Sequence, residues 1–169
     1  MTDQATEEML DARRLRDILG RFATGVVAIT GLDPRTGRPV GLAVNSFTSV
    51  SLDPPLVAFC VAHTSTSWPV VRTSGRYCLN ILGDDQRKVS AQVAAKGGDK
   101  FRGLDWSASP GGMPVLPGSV AWLECSLFAE HLAGDHVIVV ARVHHADLGD
   151  GARPLVFFGS EYGTFSTPA

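Results

Sequence analysis

Two β-rich runs separated by three residues constrain this chain most. VAWLECSLFAEHL (120–132) and HVIVVARVHHADL (136–148) are joined by Ala-Gly-Asp. Gly followed by Asp between runs rich in Val, Ile and aromatic residues is turn chemistry, so the pattern predicts two long strands joined by a tight turn. Most of the remaining chain reads the same way. VVAIT (26–30) is β-branched, and GLDPRTGRPVG (31–41) carries the turn signals of a hairpin that returns through LAVNSFTSVS (42–51). PLVAFCVA (55–62) is a continuous apolar run, which suggests a strand buried on both faces. RYCLNIL, PLVFF and YGTF supply further strands.

Helical signals are few. Asp11 is a candidate N-cap for Leu15, Ile18, Leu19 and Phe22 at helical spacing, with Gly25 as the stop. Ser67 and Pro69 open a short helix. A third is opened by Asp84 or Asp85 and closed by Gly97 and Gly98. Residues 102–119 are rich in Gly and Pro and read as an irregular loop. The expected fold is mainly β, with about seven strands and two or three peripheral helices. Turns rather than helical crossovers join many of the strands. That excludes a doubly wound sheet and predicts an antiparallel barrel. Residues 1–10 read as a loose tail and 11–169 as a single domain.

Composition narrows the function classes. A net charge of −2 leaves no basic footprint for nucleic acid. No apolar run reaches membrane-spanning length, and the acidic start MTDQATEEML lacks the regions of a signal peptide. Cys60, Cys78 and Cys125 are widely spaced among apolar neighbours, as expected of buried thiols in a reducing compartment, and the cytoplasm is the default location. Close metal-ligand spacing, a phosphate-binding glycine motif and a Ser-His-Asp ordering are all missing from the sequence.

The chemistry concentrates in four short segments. In NSFTSVS, alternation sends Asn45, Phe47 and Ser49 to one face and Ser46, Thr48 and Val50 to the other. Polar groups on both faces need partners, at roughly 1–3 kcal/mol each if buried without one. An edge strand with ordinary surface hydroxyls satisfies this, and so does a planar polar ligand. HTSTSWP offers the hydroxyls of Ser65, Thr66 and Ser67 at a helix start, which suits either a capping loop or a phosphate. GGDKF places Lys100 and Phe101 after a helix end, as a solvated C-cap or as part of a site. GDH places His136 at a turn, where it either completes the turn or meets the polar end of a substrate. Glu124 alternates with Trp122 and Ser126 and is expected to face solvent or an interface. His144 and His145 are assigned no role.

Eight segments in order resemble the flavin reductase-like family of FMN-binding split barrels, many of which are the small reductases of two-component flavin monooxygenases. They are FATGVVAITG, AVNSFTSVSLDPPLVAFCV, TSTSW, LNIL with a following Gln, GGDKFRGLDW, GMPVLPGSVAWLEC, AGDHVIVVARV and PLVFF with a following YG. The resemblance covers nearly the whole chain, from about Leu15 to Phe165. It implies that Val44, Asn45 and Ser46 meet the isoalloxazine ring, and that Ser49, Val50 and Ser51 lie near the ribityl chain and phosphate. Ser65, Thr66 and Ser67 resemble the phosphate-side loop. Lys100 and Phe101 would sit at the cofactor mouth, His136 near the nicotinamide, and Tyr162 on the flavin and nicotinamide side. Two departures stand out. GSEYG lacks the basic residue many relatives carry before YG, and AHTSTSW lacks Arg and Lys. Neutral partners contribute about half as much as charge-assisted ones, so a reversibly held flavin is expected.

The implied activity is an NAD(P)H-dependent reduction of FMN, or of FAD, by a cytoplasmic homodimer. The reduced flavin would diffuse to a separate monooxygenase. No metal, nucleic acid or membrane is implied. Two alternatives remain at this point: a non-catalytic FMN-binding or storage protein of the same fold, and an oxidoreductase that keeps its flavin and acts on another substrate.

Overall fold

The computed structural model describes residues 11–166, so the tail expected over residues 1–10 lies outside the described residues. Twelve strands and three helices occur among the described residues. They are α1 (Ala12–Leu19), β1 (Thr24–Gly25), β2 (Val27–Leu32), β3 (Pro39–Val44), β4 (Thr48–Leu52), β5 (Pro55–Ala62), α2 (Trp68–Thr73), β6 (Tyr77–Ile81), α3 (Arg87–Ala94), β7 (Ser107–Ala108), β8 (Pro114–Val115), β9 (Ala121–Ala133), β10 (His136–Leu148), β11 (Leu155–Phe158) and β12 (Glu161–Thr164).

Seven strands form one antiparallel sheet in the order β3-β2-β6-β9-β10-β5-β4, and β1-β11-β12 form a second. The long β9–β10 pair is the expected two-strand unit, with Ala133 opposite His136 across the turn. The sheet is open by pairing, since β3 and β4 are its two edges. It nevertheless curls. Leu42 of β3 shares a buried cluster with Val57, Phe59 and Val61 of β5, although four strands lie between them in the sheet. Trp68, Phe59 and Tyr77 meet edge-on in this core, with ring centroids 5.4–6.3 Å apart. A second cluster, with Ala28, Val93, Phe101 and Leu155, covers the outer face of β2. Strands β2 and β6 are buried on both faces: in β2, Val27 and Ile29 enter the first cluster and Ala28 the second, and in β6 residues 77–80 are all buried. The fully two-faced burial expected of β5 is only partial, because Leu56 and Cys60 remain half-buried.

Three sequence expectations shift. Helix α1, capped by the Asp11 carboxylate accepting the Arg13 N–H at 3.1 Å, ends at Gly20 rather than Gly25. Gly25 is instead in β1, opposite Val156, and Phe22 lies beyond the helix. Helix α3 starts after Gln86, not at an aspartate; Asp84 is held by Arg153 at 2.9 Å, while the Gln86 side chain accepts the Gly83 N–H at 2.8 Å. LAVNSFTSVS is two strands, β3 and β4, with residues 45–47 outside either ladder. The 102–119 segment is irregular as expected, apart from the β7–β8 bridge.

Candidate functional site

The break between β3 and β4 creates the site. By the register of β4 on β5, with Thr48 opposite Ala58, Ser46 stands opposite Cys60. There the ladder is replaced by one side chain: the Ser46 hydroxyl accepts the Cys60 N–H at 2.8 Å and donates to the Cys60 carbonyl at 3.2 Å. Both backbone groups are satisfied without a continuous strand. The main chain at residues 45–47 is thus free to leave the sheet, and a cleft opens between the ends of β3 and β5.

The cleft encloses about 540 Å3. Its floor is apolar, with Leu42, Val44, Val61 and Ala62, and two polar walls face each other across it. One wall is the 64–67 loop. The other is the end of α3 and the residues after it, including Lys96, Gly97 and Lys100. His136 lies at the β10 end.

The Lys100 ammonium joins the two walls. It donates to the Ser67 hydroxyl at 2.8 Å and to the Gly41 carbonyl at 3.2 Å. Ser67 occupies the N-cap position of α2, but its side chain makes no capping bond; the Ser65 hydroxyl accepts the Trp68 N–H at 3.2 Å instead. Burial pulls the Lys100 pKa below its ordinary value, because desolvation disfavours the charged form. Gly41 permits the close approach: a Cβ there would stand 2.7 Å from the Ile29 carbonyl and 3.3 Å from the Phe101 ring.

His136 is oriented by its neighbour. Its Nδ1 lies 2.7 Å from an Asp135 carboxylate oxygen. This hydrogen bond holds the Asp135 carboxyl below the usual carboxylate range. An ionised carboxylate only accepts, so Nδ1 carries the proton and Nε2 of the neutral ring is an acceptor. The Asp135 carbonyl accepts the His63 N–H at 3.0 Å, which ties the 64–67 loop to the same turn.

The structure brings Val44, Asn45, Ser46, Ser65, Thr66, Ser67, Lys100 and His136 to one cleft. Ser46, Ser65 and Ser67 already have protein partners there, whereas the side chains of Asn45 and Thr66 have no hydrogen-bond partner among the described residues. Tyr162 lies behind the end of β3, in an adjoining cavity of about 200 Å3 that Val44 and Asn45 also line. Its hydroxyl is 3.0 Å from that of Ser90, and the Arg87 guanidinium lies 5.5 Å from its ring centroid. Ser49, Val50 and Ser51 lie on edge strand β4, away from the cleft lining, with an irregularity between Ser49 and Ser51. Phe101 is buried under Gly41 in the outer core.

Sequence reasoning missed Lys96 and the end of α3. The available signal was a lysine in the last turn of a helical pattern, directly before two glycines. AHTSTSW brings no cation to the cleft, whose two lysines, Lys96 and Lys100, come from the segment after α3. Glu124 also departs from expectation: it is 1% exposed, accepts the Gly111 N–H at 2.7 Å and pairs with Arg76 at 3.3 Å. Among the described residues no cluster of three His, Cys, Asp or Glu side chains could hold a metal, and no helix is long and apolar enough to cross a membrane.

Residues 19–166 match the flavin reductase like domain. A flavin reductase from Pseudomonas putida is 43% identical over 169 residues, covering 98% of this chain and 99% of its own length. The reductase subunit of a flavin-dependent monooxygenase from Rhodococcus jostii is 44% identical, covering 92% of this chain and 78% of that protein. Among solved structures, an NADH:FAD oxidoreductase from Streptomyces globisporus, in complex with NAD and FAD fragments, superposes with a TM-score of 0.86 at 32% identity, covering 94% of this chain and 95% of that one. The chain belongs to the flavin reductase-like family.

Proposed function

We propose that this protein is an NADH-dependent flavin reductase that supplies reduced flavin to a separate monooxygenase. The observation that carries the reading is the opposition, inside one cleft, of an apolar floor and a lysine-bearing polar wall. A flat apolar ring system with a polar edge and an anionic tail suits that donor set. Small-molecule sites of roughly 300–1,000 Å3 are typical, and the cleft falls in that range. The relatives named above, a flavin reductase, a monooxygenase reductase subunit and an NADH:FAD oxidoreductase, support the same assignment.

The bound flavin supplies a hydride acceptor, and the chain's residues bind and orient. Val44 and the backbone of residues 45–46 flank the ring, with the Asn45 amide free to meet its polar edge. Thr66 and Lys100 meet the phosphate. Because Ser67 and Gly41 already share the Lys100 ammonium, the phosphate gains part of a cation rather than a dedicated one, and the flavin exchanges. His136 presents Nε2 as an acceptor to the carboxamide of the nicotinamide and sets its distance from the flavin. It serves as a positioning group, since hydride transfer needs no protein base at the donor carbon. FMN is the first expectation for the flavin and FAD the second.

The open curled sheet is read as one split-barrel domain that works as a homodimer. Leu52, Phe128, Leu132 and Leu148 are 54–93% exposed, and Ile18, Leu19 and Phe22 are 54–77% exposed. Such apolar surface and the open β4 edge suit a two-fold partner. Sedimentation should then give about twice 17.9 kDa, and a monomer that retains activity would contradict it. Three free thiols and the use of NADH suit the cytoplasm. Steady-state NADH consumption that requires both the protein and added flavin tests the whole reading; consumption at the protein-free rate contradicts it.

A further inference from the structure

The segment that carries Lys100 belongs to no helix or strand. Helix α3 ends at Ala94, and Gly97 and Gly98 follow with φ of 72° and 71°, the left-handed region that glycine adopts without strain. The Phe101 ring anchors the segment in the outer core under Gly41, and Val93 seats α3 in the same core. Apolar burial sets the depth of the segment but not its orientation, because it is non-directional. A directional anchor comes from Gln92 of α3. Its Nε2 donates to the Lys100 carbonyl at 3.1 Å and to the Arg102 carbonyl at 2.9 Å. Both partners only accept, so the amide nitrogen rather than its oxygen faces them, with one hydrogen for each. Among the described residues, no other hydrogen bond ties the main chain of residues 96–104 to a helix or strand.

We propose that Gln92 is a positioning residue for flavin binding, which aims the Lys100 ammonium by fixing the peptide that follows it. The proposal rests on the flavin reading above and deepens it. The Lys100 carbonyl belongs to that peptide, so holding it sets the direction in which the Lys100 side chain leaves the main chain. The ammonium then meets the Gly41 carbonyl and the Ser67 hydroxyl, at the wall assigned to the phosphate. Gln92 does not itself line the cleft, so its effect on flavin passes through the residues it holds. That effect is preorganisation: a lysine already aimed loses less freedom on meeting a phosphate than one on a loose segment. A carboxylate at this position would set acceptors against two carbonyl oxygens, and an apolar side chain would leave both carbonyls to water.

The test is a double-mutant cycle on flavin Kd with wild type, Gln92→Met, Lys100→Met and the double variant. Methionine keeps the length and the helix preference of glutamine but has no donor. Gln92→Asn, which keeps the amide and shortens its reach, supplies a second cycle, and melting curves establish that each variant is folded. Flavin Kd should rise about fivefold in Gln92→Met and Gln92→Asn, with kcat at saturating flavin within about twofold of wild type. Lys100→Met should raise Kd by about tenfold, and the double variant should match it within about twofold, because a missing ammonium has no aim to lose. Effects that multiply in the double variant mean that Gln92 acts elsewhere and overturn the proposal. Unchanged Kd in the folded single variants at Gln92 makes its bonds structural only and also overturns it. Unchanged flavin affinity in Lys100→Met overturns it too, while flavin-dependent NADH consumption by wild type leaves the functional reading standing. Wild-type protein that binds no flavin overturns both.

Discussion

The Lys100 ammonium donates to the Ser67 hydroxyl at 2.8 Å, linking the two polar walls of the cleft. It is a partly buried cation held by two neutral oxygens, and a phosphate is a better partner than either. Lys100→Met should raise flavin Kd by about tenfold or more, the range of a lost charged hydrogen bond. The lowered pKa of Lys100 adds a pH signature. The free protein loses this charge as pH rises through a value below the ordinary 10.5, so flavin affinity should fall in that alkaline window. Lys100→Arg keeps its charge and should lack the fall, which also controls for titration of the flavin itself. Identical alkaline profiles for wild type and Lys100→Arg would remove Lys100 from the phosphate.

His136→Ala should raise the KM for NADH or slow hydride transfer by about tenfold while flavin Kd changes little. Asp135→Asn removes the ionised acceptor that fixes the protonated Nδ1, and should reproduce a smaller part of the same kinetic defect. If His136 only completed the turn, the alanine variant would lose melting temperature and keep its kinetics. Stopped-flow reduction beside a melting curve separates the two.

The Ser46 hydroxyl replaces a strand pairing, so its loss is first a stability effect. Ser46→Ala leaves the Cys60 N–H and carbonyl without that partner and should destabilise the protein by about 1–2 kcal/mol. Ser46→Leu additionally places bulk in the cleft and should raise flavin Kd well beyond the alanine variant. Equal flavin affinity in folded wild type and Ser46→Leu would exclude this segment from the site.

Much of this arrangement could be read from the sequence. The β2–β3 and β9–β10 turns are local, since Gly, Asp and Pro between apolar runs fix them within a few residues. The site segments were legible because polar side chains interrupted an apolar pattern. What could not be read depends on partners distant in the chain. Residues 42–51 look like one strand until Ser46 is seen to satisfy Cys60, fourteen residues away. Glu124 alternates as a surface residue would, yet Arg76 and Gly111 make its burial tolerable. Asp84 has the chemistry of a helix cap, but Arg153 claims it from near the far end of the chain. Lys96 carried only a weak signal, because a lysine just past a helix end is ordinary.

Glu124 gives a stability test far from the cleft. Burial pushes its pKa up, but the Ser109 hydroxyl, the Gly111 N–H and the nearby His145 and Arg76 side chains bring it below the ordinary carboxylate value. A depressed folded pKa contributes stability above the unfolded value of about 4.3, lost as pH falls through the folded one. Glu124→Gln should therefore cost about 1–3 kcal/mol at neutral pH and flatten part of the acid limb. Arg76 is 40% exposed at its side chain and can rehydrate, which keeps the loss below that of a fully buried pair. Unchanged melting at neutral pH would contradict the pairing.

The most direct measurement of the proposed activity is anaerobic mixing of the protein and excess oxidised flavin with NADH, followed by flavin absorbance. The flavin should bleach at a rate proportional to protein concentration that saturates with NADH, over many turnovers per chain, because the flavin exchanges. A single stoichiometric bleaching that stops at one flavin per chain would mean a retained prosthetic group. Persistent flavin colour in the presence of NADH and folded, flavin-binding protein would contradict the reductase reading outright.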